Sequence, residues 1–167
     1  KKTGGRKVHT TLAFVHTYPD GDRDFSFYRN PGADMMLRKE EVSLEKICAS
    51  KIFHFGTLSF THAGIRTASQ YAIQCAKEAG ALISFDPNLR EPLWENLEDA
   101  RKAIEYGMEC CDILKISDNE LIMTKEQFFF SRNIRFHLYV LLWEKMEAGH
   151  TIRGLRLKRS HFCRKTR

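Results

Sequence analysis

The stretch from Lys51 to Ile116 decides the fold, because it holds three short apolar runs, KIFHFG (51–56), ALISF (81–85) and DILKI (112–116), separated by two helical periodicities. Thr61 to Ala79 places Ile65, Ala68, Ala72, Ile73 and Ala76 on one helical face, and Gly80 is a helix stop. The second helix opens at Asn96, with Asp99 three residues on as a weak capping-box variant. Its apolar face is Leu97, Ala100, Ala103, Ile104 and Met108. Strand–helix–strand–helix–strand in this order requires parallel strands joined by right-handed crossovers, which is a doubly wound α/β core. Ligands of such sheets collect beyond the carboxyl ends of the strands. The places to look are therefore residues 56–58, 86–90 and 117–120.

Upstream the rhythm differs. Alternation around Leu12, Phe14 and Val15, a turn at Pro19-Asp20-Gly21, and renewed alternation through Phe25 and Phe27 predict a β-hairpin. Downstream the charge changes. The net charge of +6 over 167 residues is uneven: residues 1–127 hold 17 Lys and Arg against 19 Asp and Glu, and residues 128–167 hold 10 against 2. Two compositions have been joined, and the chain divides into a strand-rich segment 10–41, an α/β segment 42–127 and a basic tail 128–167.

The remaining composition narrows the classes. The hydrophobic content of 43% and charged content of 29% are those of a globular protein, and no run reaches the eighteen or so apolar residues of a membrane span. No membrane partner is expected. The basic start lacks the apolar core of a secretory signal, so a cytoplasmic location is expected. Five cysteines without C-x-x-C spacing argue against a disulfide framework and a zinc site, and are read as free thiols. The histidines show no metal spacing, and His54 on a strand reads as a core residue.

Asp86-Pro87-Asn88-Leu89-Arg90 closes the second strand with an acid, an amide and a guanidinium within five residues. Pro87 stops ladder pairing there. Spacing alone leaves two readings open: a ligand crevice, or a turn in which Asp86 and Asn88 bond local backbone.

Four blocks in order, TTLAFV (10–15), DFSFYRNPGAD (24–34), FHFGTLS (53–59) and SFDPNLREPLW (84–94), resemble the fructokinases of the PfkB/ribokinase family of carbohydrate kinases. The resemblance spans about residues 10–120. It implies a ribokinase-like three-layer α/β/α core, here with a partial parallel sheet, and a small β-strand lid over the sugar site. It further implies a sugar substrate, ATP and Mg²⁺ as cofactors, and a homodimer contact through the lid. By position, Arg29 resembles the lid arginine that contacts the sugar, with Phe27 or Tyr28 stacking nearby. Arg90 resembles the arginine near the phosphoryl path, and Asp86 and Asn88 its polar support. Lys115, Ser117 and Glu120 resemble a K-x-N-x-x-E segment that serves the nucleotide, with Glu120 helping to organise Mg²⁺; Ser117 stands where the family has asparagine.

The family's G-A-G-D segment, which supplies the base and the anion hole, is absent from the sequence, so no catalytic residue is assigned and no turnover is expected. The tail carries a further expectation. Trp143 and Met146 have single codons ending in G, and each precedes a glutamate, so a frame beginning on that G reads glycine twice, as Gly-x-x-Gly. Residues 128–167 are accordingly read as a frame-shifted, non-native segment, and nucleic acid is not expected as a partner of its basic residues.

Overall fold

The structure, a computed structural model, describes residues 2–3, 6–117, 120 and 139–143, with the backbone alone for 2–3, 6–7 and 139–143. Two dipeptide strands, β1 (Lys2–Thr3) and β2 (Arg6–Lys7), pair antiparallel ahead of the hairpin. The hairpin is β3 (Leu12–Thr17) and β4 (Arg23–Tyr28), in register from Leu12↔Tyr28 to Thr17↔Arg23. Its turn is closed by the Gly21 N–H donating to the Tyr18 carbonyl at 2.9 Å, with Gly21 at φ +84°, a conformation that costs glycine little. This is the expected strand–turn–strand segment.

Alternation gives the hairpin two faces. Phe25 and Phe27, half-buried, share one face with Ala13 and Val15. Leu12, Phe14 and Tyr28 share the other and stand 50%, 62% and 58% exposed.

The core begins with the short helix α1 (Leu44–Cys48) and continues as β5 (Ile52–Gly56), α2 (Ala63–Glu78), β6 (Leu82–Asp86), α3 (Leu97–Cys110) and β7 (Ile113–Ser117), followed by β8 (Tyr139–Trp143). The strands form one parallel sheet in the order β5-β6-β7-β8. The helix ends follow sequence chemistry. The Asn96 side chain accepts the Asp99 N–H and caps α3, and Gly80 leaves α2 at φ +80°.

One face of the sheet is dry. Phe55, Ile83, Phe85, Leu114 and Ile116 interleave with Ala72, Ile73 and Ala76 of α2 and Ala103, Ile104 and Met108 of α3 in a single cluster. Each large side chain fully buried here contributes about 1.5–3 kcal/mol before entropy is counted. Gly107 allows the closest approach, since a Cβ there would lie 2.3 Å from the Phe85 ring.

The opposite face departs from the sequence expectation. His54 is exposed rather than buried, with Nδ1 3.0 Å from the Ser84 hydroxyl, and Ile52 and Leu82 beside it are 53% and 49% exposed. The described residues thus supply two layers of the three-layer arrangement. Leu97, assigned to the apolar face of α3, is also 49% exposed, and it occupies the first helical position. A further strand, β8, lies within the basic segment 128–167, where no strand was assigned from the sequence. Its residues YVLLW are a β-prone apolar run, and β7 offers them an unpaired edge.

Candidate functional site

The carboxyl ends of β5, β6 and β7 converge, as parallel pairing requires. Gly56 pairs with Asp86, and a Cβ on Gly56 would sit 2.8 Å from the Asp86 carbonyl, so this junction excludes a side chain. Beyond it the 86–90 loop is fixed from both sides. Thr57, fully buried, donates through Oγ1 and N to the Pro87 carbonyl at 2.5 and 3.2 Å. On the other side the Glu120 carboxylate accepts the Leu89 N–H at 2.7 Å and the Ser117 N–H at 2.9 Å. Asn88 between them is left-handed at φ +42°, a conformation that asparagine tolerates better than most side chains.

Asp86 directs one carboxylate oxygen to Lys115 Nζ, and its Oδ1 is buried without a hydrogen-bond partner. A buried acceptor left unpaired is costly, so this atom suits an incoming donor such as a hydroxyl. Arg90 donates from one terminal nitrogen to the Leu89 carbonyl at 2.9 Å, and its guanidinium carbon lies over the Phe25 ring, 4.7 Å from the centroid. The loop therefore touches the lid.

The root of the lid is held by a second arginine. Arg29, with its side chain 5% exposed, bonds Asp34 through Nε at 2.8 Å, the Thr61 hydroxyl at 2.8 Å and the Leu58 carbonyl at 3.1 Å. The Thr11 hydroxyl donates to the other oxygen of Asp34. Partial burial pushes the Asp34 carboxyl up, but the Thr11 hydroxyl and the Arg29 guanidinium together outweigh it and hold the group below its ordinary range. Gly32 fits this knot because a Cβ would meet Thr11 Oγ1 at 1.9 Å.

The residues singled out by sequence thus separate into groups. Asp86, Asn88, Arg90, Lys115, Ser117 and Glu120 come together at the strand ends. Arg29 lies at the lid root with its guanidinium committed to Asp34, Thr61 and Leu58. Phe27 is on the same lid face as Phe25, whereas Tyr28 is on the opposite, exposed face. Sequence reading missed Phe25, Thr57, Thr61 and Asp34. Phe25 and Asp34 stand within the motif DFSFYRNPGAD and Thr57 within FHFGTLS, so block membership was the signal that could have found these three, whereas Thr61 lies outside the four blocks. Among the described residues no group of three or more His, Cys, Asp and Glu could hold a metal, and no helix is long and apolar enough to cross a membrane.

The model of the "pfkB family carbohydrate kinase" matches residues 6–133. The chain belongs to the PfkB carbohydrate kinase family. It is 54% identical over 114 residues to a probable fructokinase-2 of Arabidopsis thaliana, covering 68% of this chain and 35% of that protein. Over the same length it is 49% identical to fructokinase-2 of Solanum lycopersicum, again 68% of this chain and 35% of the relative. Among solved structures, the fructokinase of Xylella fastidiosa superposes with a TM-score of 0.64 at 31% identity, covering 80% of this chain and 43% of that one. A putative ribokinase II of E. coli, in complex with ATP and Mg²⁺, gives 0.57 at 30% identity, with 69% and 36% covered. The chain is fructokinase-like and its fold ribokinase-like, and it spans about a third of the length of the curated PfkB relatives it matches.

Proposed function

We propose that this chain is part of an ATP-dependent sugar kinase that transfers a phosphoryl group to a hydroxyl of a ketohexose, with fructose as substrate. The observation that carries the reading is the loop of residues 86–90. It is held rigid by Thr57 and Glu120, roofed by the lid at Phe25, and presents a buried acceptor and a guanidinium. Asp86 Oδ1 fits a sugar hydroxyl. Arg90 fits a phosphate, for which a guanidinium supplies both charge and directed donors. Glu120 does not fit a direct Mg²⁺ ligand, because its oxygens accept two backbone N–H groups, so its service to metal and phosphate is indirect, through the loop it anchors. When bound, ATP with Mg²⁺ would supply the phosphoryl group and neutralise its charge.

Such a transfer also needs a base at the acceptor hydroxyl and an anion hole, and the sequence has no G-A-G-D segment to supply them. The chain alone is therefore expected to give no measurable turnover. The frame-shift reading of residues 128–167 and a cytoplasmic location belong to the same proposal. A chimera tests the kinase reading: residues 6–117 joined to the flanking parts of the Arabidopsis relative, assayed for sugar-dependent ADP release. Phosphorylation of fructose, reduced at least a hundredfold by Arg90→Met, is expected. A folded chimera inactive on fructose, or one indifferent to Arg90→Met, refutes it.

A second reading is favoured by the outward hairpin face, where Leu12, Phe14 and Tyr28 are exposed together. It makes the chain a noncatalytic module that self-associates through the lid. Analytical ultracentrifugation should then show a dimer that Phe14→Glu dissociates, and a monomeric parent chain removes this reading.

A further inference from the structure

Lid and core meet at two arginines of different character. Arg29 is buried and hydrogen-bonded on several sides, a fixed root. Arg90 belongs to the core loop and meets the lid at a ring face, with its guanidinium carbon 4.7 Å from the Phe25 centroid. Phe25 is in turn stacked near Phe27, with ring centroids 6.2 Å apart and planes 10° apart. A guanidinium uses its face and its edge for different partners: the face meets an aromatic ring, and the N–H donors in its plane meet anions. Contact with the ring restricts how the plane can turn without occupying the donors. A contact through a ring face is also individually weak, whereas Arg29 is committed by several hydrogen bonds.

We propose that Phe25 is a positioning residue: its ring sets the guanidinium of Arg90 so that the edge donors face a phosphate-class anion in the crevice, and the anion affinity of the 86–90 loop therefore depends on the lid being down. The proposal rests on the kinase reading for the class of ligand and extends it to a lid residue that does not itself touch the ligand. The backbone of the loop is held independently by Thr57 and Glu120, so the lid governs the side chain of Arg90 rather than the path of the loop.

The test is nuclear magnetic resonance on the full 167-residue chain, with the Arg90 Nε–Hε resonance identified by its loss in Arg90→Lys and inorganic pyrophosphate as the probe. Pyrophosphate should shift this resonance in the parent chain. Phe25→Leu should remove the ring-current displacement of Hε and weaken pyrophosphate about fivefold, the size of one cation–π contact, while the Leu89 amide stays in place. Phe14→Leu, on the outer lid face, should change neither reading. Should Phe25→Leu fail to fold, Phe25→Trp carries the test, because it keeps a ring face and must bind pyrophosphate at least as tightly as the parent. An Arg90 resonance indifferent to Phe25→Leu, an unchanged affinity in that variant, a weakened affinity in folded Phe25→Trp, or no response to pyrophosphate in the parent each overturns the proposal. Fructose is titrated separately: absence of fructose binding beside an intact pyrophosphate response counts against the kinase reading and leaves the role of Phe25 standing.

Discussion

Replacing Glu120 by glutamine separates an anchor of the loop from a group that serves metal directly. In the parent, Glu120 is 8% exposed and its carboxylate accepts the Leu89 and Ser117 N–H groups at 2.7 and 2.9 Å. Glutamine has nearly the same shape but offers one acceptor oxygen and one NH₂ group. One backbone N–H must then face another donor. Losing a charge-assisted hydrogen bond costs about 1.5–3 kcal/mol, and leaving a buried N–H unsatisfied costs about 1–3 kcal/mol. The two overlap because they concern the same group, and removing a buried charge offsets a part. The expected net loss is about 2 kcal/mol. If the loss is local, amide exchange at Leu89 and Ser117 should accelerate about thirtyfold, since each 1.4 kcal/mol is a factor of ten. Urea unfolding with site-resolved hydrogen exchange measures both. An acid retained for metal alone predicts the reverse, an unliganded Glu120→Gln chain as stable as the parent or more so. A difference under about 0.5 kcal/mol, with Leu89 exchanging at the parent rate, refutes the anchor.

Other perturbations have equally definite outcomes. Gly107→Ala gains about 1 kcal/mol of helix propensity but drives a Cβ to 2.3 Å from the fully buried Phe85 ring, where overpacking costs about 1–3 kcal/mol. A lower urea midpoint is expected, partly restored by adding Phe85→Leu. The Asp34 carboxyl is held below its ordinary value, so its ties to Thr11 and Arg29 contribute fully above about pH 4 and are lost as pH falls through the lowered folded value. Proteolysis of the hairpin should rise in that acid range, and Asp34→Asn should flatten the dependence. Burial pushes the Cys111 thiol up to about 12, whereas Cys48 is exposed. A thiol reagent at pH 8 should label Cys48 rapidly and Cys111 only after denaturation, and equal labelling of the two would contradict the packing of the α3 terminus.

The core was legible because its periodicities are local. Ile65, Ala68, Ala72, Ile73 and Ala76 are all buried, and Asn96 caps the helix it was assigned to open. His54 misled because periodicity identifies a face but not whether another layer covers it, and Leu97 because periodicity does not show that the helix begins there, at its less covered end. The 86–90 loop was recognisable as a site, but spacing could not decide between a turn and a crevice. In the structure it is both, a turn fixed by long-range bonds from Thr57 and Glu120 that leaves Asp86 Oδ1 and Arg90 in place. Phe25 escaped notice because nothing in the sequence places it over an arginine 65 positions away. The fully committed hydrogen bonding of Arg29 was hidden likewise, since Thr61 and the Leu58 carbonyl lie in another element.

The sheet adds its strands strictly in chain order, with pairing partners such as Ile52↔Leu82 and Ile113↔Tyr139 a similar distance apart along the sequence. During synthesis each of these described strands therefore finds the preceding one already made. Assembly is vectorial. A substitution that spoils β8 would leave an unpaired edge on the β5–β7 part of the sheet, whereas one that spoils β6 would separate β5 from β7. Tolerance to damage should accordingly fall off toward the middle of the sheet rather than toward its carboxyl-terminal edge.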